Sequence, residues 1–124
     1  MRYILLFLTG ILLFAAGCSG RQDSREQLAA AVVEAIADGE EDDLWKLLSP
    51  DMREKTVEKF GKSEEETRET LMDVMQEKLK EKYGISDLDE LEDDGELFQR
   101  ICGDMLRGEE KMINIDGKWY VNLL

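Results

Sequence analysis

From residue 24 to residue 108, most apolar runs of helical length lie between a small polar residue that can start a helix and a glycine that can stop one. Ser24-Arg25-Glu26-Gln27 has the form of a capping box, in which the serine accepts from the amide three residues on. Leu28, Val32, Ala35 and Ile36 follow on one helical face, and Asp38-Gly39 supplies a stop. A shorter stretch, about residues 42–48, carries Leu44, Trp45, Leu47 and Leu48. Ser49-Pro50 then opens a helix with Met52, Val57 and Phe60 facing inward and Gly61 at its end; proline at a first position loses no hydrogen bond there. The longest run opens with Ser63-Glu64-Glu65-Glu66, its acids placed at the positive end of the helix dipole. Its stripe is Leu71, Val74, Met75, Leu79 and Tyr83, and Gly84 closes it. Ser86 is placed to cap one more short turn through Leu88 and Leu91, and Asp93-Asp94 to cap a helix holding Phe98 and Cys102 and ending at Gly108. Punctuation this regular predicts a helical body over residues 24–108.

After Gly108 the period changes. Lys111 to Leu123 alternates around Asp116-Gly117, a hairpin signal. A two-residue loop splits the apolar residues between the faces. A three-residue loop pairs Ile113 with Trp119 and gathers Ile113, Trp119, Val121 and Leu123 on one face, so that register is the expected one. The predicted fold class is mainly α: a small helical domain with a C-terminal β-hairpin over residues 109–124. Two strands alone are marginal in water, so the hairpin must pack on the helices.

The other end of the chain is of a different kind. Met1-Arg2 supplies one positive charge, Tyr3 to Phe14 is apolar apart from Thr9 and Gly10, and Ala15-Ala16-Gly17 are small. These are the three regions of a cleaved secretory signal. As a helix of about 1.5 Å per residue, the run from Tyr3 to Gly17 would reach only about 22 Å, against roughly 30 Å of hydrocarbon. It is therefore short for a span, and no cluster of positive charge follows it. Ala15-Ala16-Gly17-Cys18 resembles the lipobox of bacterial lipoproteins, with Ala15 where that family more often has leucine. The resemblance covers residues 1–20. It implies that the Cys18 thiol receives a diacylglyceryl group, that cleavage falls before Cys18, and that the new amine is acylated, commonly with palmitate. Two or three acyl chains make a lasting anchor where one is marginal. Ser19 stands where aspartate often marks inner-membrane retention, so the expected location is extracytoplasmic: the outer membrane facing the periplasm in a Gram-negative cell, otherwise the outer face of the cell membrane. Residues 1–17 are then leader, 18–23 a lipidated tether, and 24–124 one globular domain.

Charge narrows the partners. The chain carries 29 acids against 16 bases, a net charge of −13, and loss of the leader removes one arginine and no acid, making it −14. Such a surface repels nucleic acid and anionic headgroups alike. Any charged partner is a basic envelope protein or a cationic ligand, beyond the membrane contact made through lipid on Cys18. Histidine is wholly absent, which removes the usual general base, the commonest zinc ligand and the Ser-His and Cys-His pairs. With Cys18 acylated, Cys102 has no intramolecular partner; its neighbours Phe98, Ile101, Met105 and Leu106 recur at helical spacing, which makes it a buried structural thiol.

No catalytic, cofactor or metal residue is assigned. Carboxylates are plentiful, but they lie mainly at helix starts and on solvent faces. The densest run, residues 87–96, puts Glu90, Glu92 and Asp94 at EF-hand ligand positions when Gly95 is aligned with the turn glycine; Ile101 then falls where the bidentate glutamate belongs. A solvated face with Leu88 and Leu91 turned inward accounts for it better. Met72, Met75 and Met105 are core filling by default, with a plastic partner surface as the other reading.

A second resemblance rests on Ala37-Asp38-Gly39-Glu40, the run from Leu44 to Pro50, and the closing Ile115-Asp116-Gly117-Lys118-Trp119-Tyr120-Val121. These look like small lipoproteins of the nuclear-transport-factor-two-like cone fold, which implies a sheet of several strands curled around a pocket. Residues 63–107, where the middle strands belong, read as helix instead. The expected function is a non-catalytic, lipid-anchored envelope lipoprotein whose acidic helical domain binds or supports a partner, with a cone-type pocket for a small molecule as the alternative.

Overall fold

Side-chain oxygens start the helices where the sequence places them. In the computed structural model, which describes residues 22–108 and 111–122, Ser24 Oγ accepts from the Gln27 amide at 3.1 Å and opens α1, Arg25–Asp38. Ser49 Oγ accepts from Met52 at 3.1 Å and opens α3, Pro50–Phe60. Ser63 does the same for α4, Glu64–Tyr83, and its hydroxyl also donates to the Glu66 carboxylate. Asp94 accepts from Leu97 and opens α6, Gly95–Arg107. Each such cap satisfies an amide that has no partner inside its helix, contributing about 1 kcal/mol. Gly39, Gly61 and Gly84 end α1, α3 and α4 in left-handed backbone, as expected of the three stops. Between them lie α2, Glu41–Leu47, and a single turn, α5, Glu90–Asp93.

Ser86 does not cap that turn. Asp89 precedes α5 without a side-chain cap bond; instead the Glu90 carboxylate accepts from the amides of Ser86 and Asp87 at 3.1 and 3.2 Å, and Asp87 Oδ1 accepts from Asp89 at 3.0 Å. A carboxylate with two oxygens outcompetes one hydroxyl for a tight cluster of amides.

The core forms around α1. Its buried residues are Leu28, Ala29, Ala31, Val32, Val33, Ala35 and Ile36, more than the one face expected from spacing, because α1 packs against α2, α4, α6 and the second strand together. A helix so enclosed needs apolar residues nearly all round. From α2 come Leu44, Trp45 and Leu47; from α4 Leu71, Met72 and Met75; from α5 Leu91; from α6 Ile101 and Cys102. Of the three buried hydroxyls among the described residues, Thr56 and Thr67 donate to the carbonyls of Met52 and Ser63 one turn back, at 2.6 and 2.7 Å, and Ser49 is engaged as the cap of α3, so none is left unpaired.

The hairpin consists of β1, Met112–Ile115, and β2, Lys118–Val121, antiparallel. Its register corrects the expectation: Ile113 pairs with Tyr120 and Asn114 with Trp119, across the two-residue turn Asp116-Gly117. Asp116 and Gly117 both have positive φ, 53° and 89°, the backbone that matches the twist of paired strands. Met112 and Val121 are buried toward the helices, while Ile115 on the other face is 37% exposed. The apolar set is split as a two-residue loop requires. What holds the register is docking: Val121 forms a parallel bridge with Leu48, and Ser49 Oγ meets Asn122 Oδ1 at 3.3 Å. Gln22, read as tether, donates from Nε2 to the Trp119 carbonyl at 3.0 Å, which fastens the start of the described chain to β2. The fold is thus mainly helical with a C-terminal hairpin. The leader, Ala15, Ala16, Gly17 and Cys18 lie outside the described residues, and among the described residues no helix is long and apolar enough to cross a membrane.

Candidate acidic cleft

The end of α1, the single turn α5 and the start of α6 meet around a hollow of about 390 Å³. Its floor is apolar, with Ala37, Leu91 and Phe98, and its carboxylates are Glu34, Asp38 and Glu92. Glu34 and Asp38 stand one turn apart on α1 and so share a face. Glu92 arrives from a segment that a buried residue fixes: Leu91, only 3% exposed, anchors α5 in the core and turns the next side chain outward. Glu90 and Asp94 both accept from backbone amides, so the acidic run is tied to backbone on each side of Glu92.

Electrostatics single out Glu92. The Asp38 carboxylate beside it, first by its charge and then by a side-chain hydrogen bond, holds the Glu92 carboxyl above the ordinary carboxylate range, with smaller contributions from burial and from Asp89 and Asp93. Two acids this close favour keeping a proton between them. A cation placed there replaces that proton. Glu92 itself is exposed, so water reaches the site and burial is a lesser cause of the shift than Asp38. The combination of an apolar floor, an aromatic ring and a rim of carboxylates suits a cation on an aliphatic stem, the form of a lysine or arginine side chain.

Of the residues singled out in the sequence, Glu92 enters the cleft, while Glu90 and Asp94 are spent on backbone amides. They do not converge as a calcium loop requires, and among the described residues no group of three or more histidine, cysteine, aspartate or glutamate side chains is arranged to hold a metal. Leu91 is buried and Leu88 half-buried, as the solvated-face reading expects. Cys102 is buried, and burial pushes its thiol up from the ordinary value, which disfavours the reactive thiolate. Met72 and Met75 are core; Met105 is half-buried. Sequence reasoning missed Asp38, which it took as part of a helix stop, and Glu34. The signal that pointed to them was an acid pair at helical spacing beside an otherwise apolar helix. The sequence matches no protein-family model, no curated protein and no solved structure.

Proposed function

We propose that the protein is a lipid-anchored lipoprotein of the bacterial cell envelope whose acidic helical domain, without catalysis, binds a basic envelope protein or a cationic ligand through the α1–α5–α6 cleft. The anchor rests on Ala15-Ala16-Gly17-Cys18 at the seam of an apolar leader; Cys18 carries the diacylglyceryl group and faces an extracytoplasmic compartment. The observation that carries the binding function is the Asp38–Glu92 pair, two carboxylates crowded into one cleft with an apolar floor. That arrangement repels itself when empty and is relieved by a cation. A cone-type pocket has less support, since the sheet of the described residues has two strands.

Crosslinking in whole cells tests both parts. The native chain is expected in the membrane fraction, labelled by radioactive fatty acid, and crosslinked to a partner whose capture weakens with salt. Combined Glu34→Gln, Asp38→Asn and Glu92→Gln substitutions are expected to lose the partner and keep the membrane location; Cys18→Ala is expected to lose label and location. Unchanged fractionation and labelling of Cys18→Ala would falsify the anchor. Undiminished, salt-insensitive capture by the charge-neutralised cleft would remove the cleft from partner binding.

A further inference from the structure

We propose that a second hollow, separate from the acidic cleft, binds a small organic anion with an apolar body, of the class of an aromatic monocarboxylate. It lies between α1, α4, α6 and β2 and has a volume of about 150 Å³, roughly what accommodates one benzene-sized ring in an apolar interior. Ile36, Met75, Leu79, Ile101, Met105 and Val121 wall it. The two methionines give the wall an adaptable, polarisable surface against a ring.

The polar lining decides the sign of the ligand. Lys78, Lys82 and Lys111 all border the hollow and are exposed. On a chain with 29 acids and 16 bases, a three-lysine rim is the reverse of the general surface. Among the described residues no ion pair engages any of the three. Lys78 and Lys82 also stand one turn apart on α4, where like charges repel, and an anion between them relieves that repulsion. The lining holds one carboxylate, Asp104, and it is already engaged: the Tyr83 hydroxyl donates to it at 2.6 Å and Arg107 pairs with it. Lys82 and Arg100 each lie 5.6 Å from the centroid of the Tyr83 ring, which adds positive potential beside the hollow.

Size and charge then select together. The volume is too small for a helix or a full lipid chain, and the walls reject a fully hydrated ion. A ring against Met75 and Met105 with its carboxylate among the lysines satisfies both. No residue of this hollow belongs to the acidic cleft, so either site can fail while the other stands.

The test titrates phenylacetate into the full chain in phosphatidylcholine nanodiscs, following methionine methyl signals, with empty nanodiscs as the correction for partition. Saturable shifts are expected at Met75 and Met105 while Met52, which does not border the hollow, stays in place. Lys78→Gln with Lys111→Gln, both at exposed positions, is expected to weaken binding about ten-fold or more, the scale of lost charge-assisted contacts. The uncharged analogue phenylacetamide is expected to weaken it comparably, and Leu79→Trp, which fills the hollow, to abolish it. No saturable shift at tens of millimolar, equal affinity for phenylacetamide or phenethylamine, or undiminished binding in the double lysine variant overturns the proposal. An unshifted Met52 signal in each variant reports that the fold persists.

Discussion

At the scale of single residues, Arg53 does more than its position on a polar helix suggests. From α3 its Nε donates to the carbonyls of Trp45 and Leu48, both at 3.1 Å, and its Nη2 to that of Lys46 at 3.1 Å. These oxygens are at and just beyond the end of α2, a helix of seven residues too short to hold itself in water, and its last carbonyls lack partners within the helix. A guanidinium fork there satisfies them and complements the negative end of the helix. Arg53→Ala is expected to lower unfolding free energy by about 1–3 kcal/mol, the range for hydrogen bonds to a charged group. Lys55→Ala, one turn away from Asp51 in a fully surface-borne pair of 3.0 Å, is expected to cost less than about 0.5 kcal/mol. Urea denaturation of both distinguishes them; equal losses would show that Arg53 acts as ordinary surface charge. Lysine cannot replace it, because one ammonium cannot reach three carbonyls in the plane that the fork spans.

At the scale of elements, what the sequence disclosed and what it hid divide along one physical line. Caps are local: Ser24, Ser49, Ser63 and Asp94 each bond an amide three residues on, and no distant contact is needed to foresee them. The hairpin register is not local. Gathering Ile113, Trp119 and Val121 on one face looked favourable only while the strands were considered by themselves; Val121 against Leu48 and Met112 in the core settle the pairing from outside. The turn then follows, with Asn114 Oδ1 accepting from the Gly117 amide at 3.2 Å. Gly117, at φ 89°, sits where a Cβ is strained, although a Cβ there would meet no neighbour within 4 Å. Gly117→Ala is therefore expected to destabilise by about 1–2 kcal/mol through backbone strain alone. Asp116→Asn, which keeps a residue tolerant of positive φ, is expected to stay within about 0.5 kcal/mol of the native chain. If Gly117→Ala were neutral in thermal denaturation, the two-residue turn would not be the one that the folded chain adopts.

At the scale of the whole molecule, net charge and topology combine. A chain of net charge −13 repels itself when compact, yet that repulsion is not spread evenly, because folding brings Asp38 to Glu92 from opposite sides of α2, α3 and α4 in the sequence. No periodicity announces such a meeting, which is why the cleft was illegible while the helices were not. Its signature is a pH dependence of definite sign. The carboxyl of Glu92 is raised in the folded state, so the folded chain holds its proton to higher pH than the unfolded chain, and stability falls as pH rises through that raised value. Glu92→Gln removes the titration. It is expected to be more stable than the native chain at neutral pH and low salt, with a difference that closes as pH falls into the carboxylate range and shrinks as salt screens the pair. Glu69→Gln, at an exposed position outside the cleft, measured alongside, gives the size of the general charge effect. A Glu92→Gln chain less stable than native at neutral pH, or a gain that grows on acidification, would refute the repulsion. The same repulsion fixes the sign for a ligand: a cation in the cleft binds more tightly as pH rises and Glu92 ionises, so added cationic ligand is expected to raise the melting temperature of the native chain more than that of Glu92→Gln, and more at neutral than at acid pH.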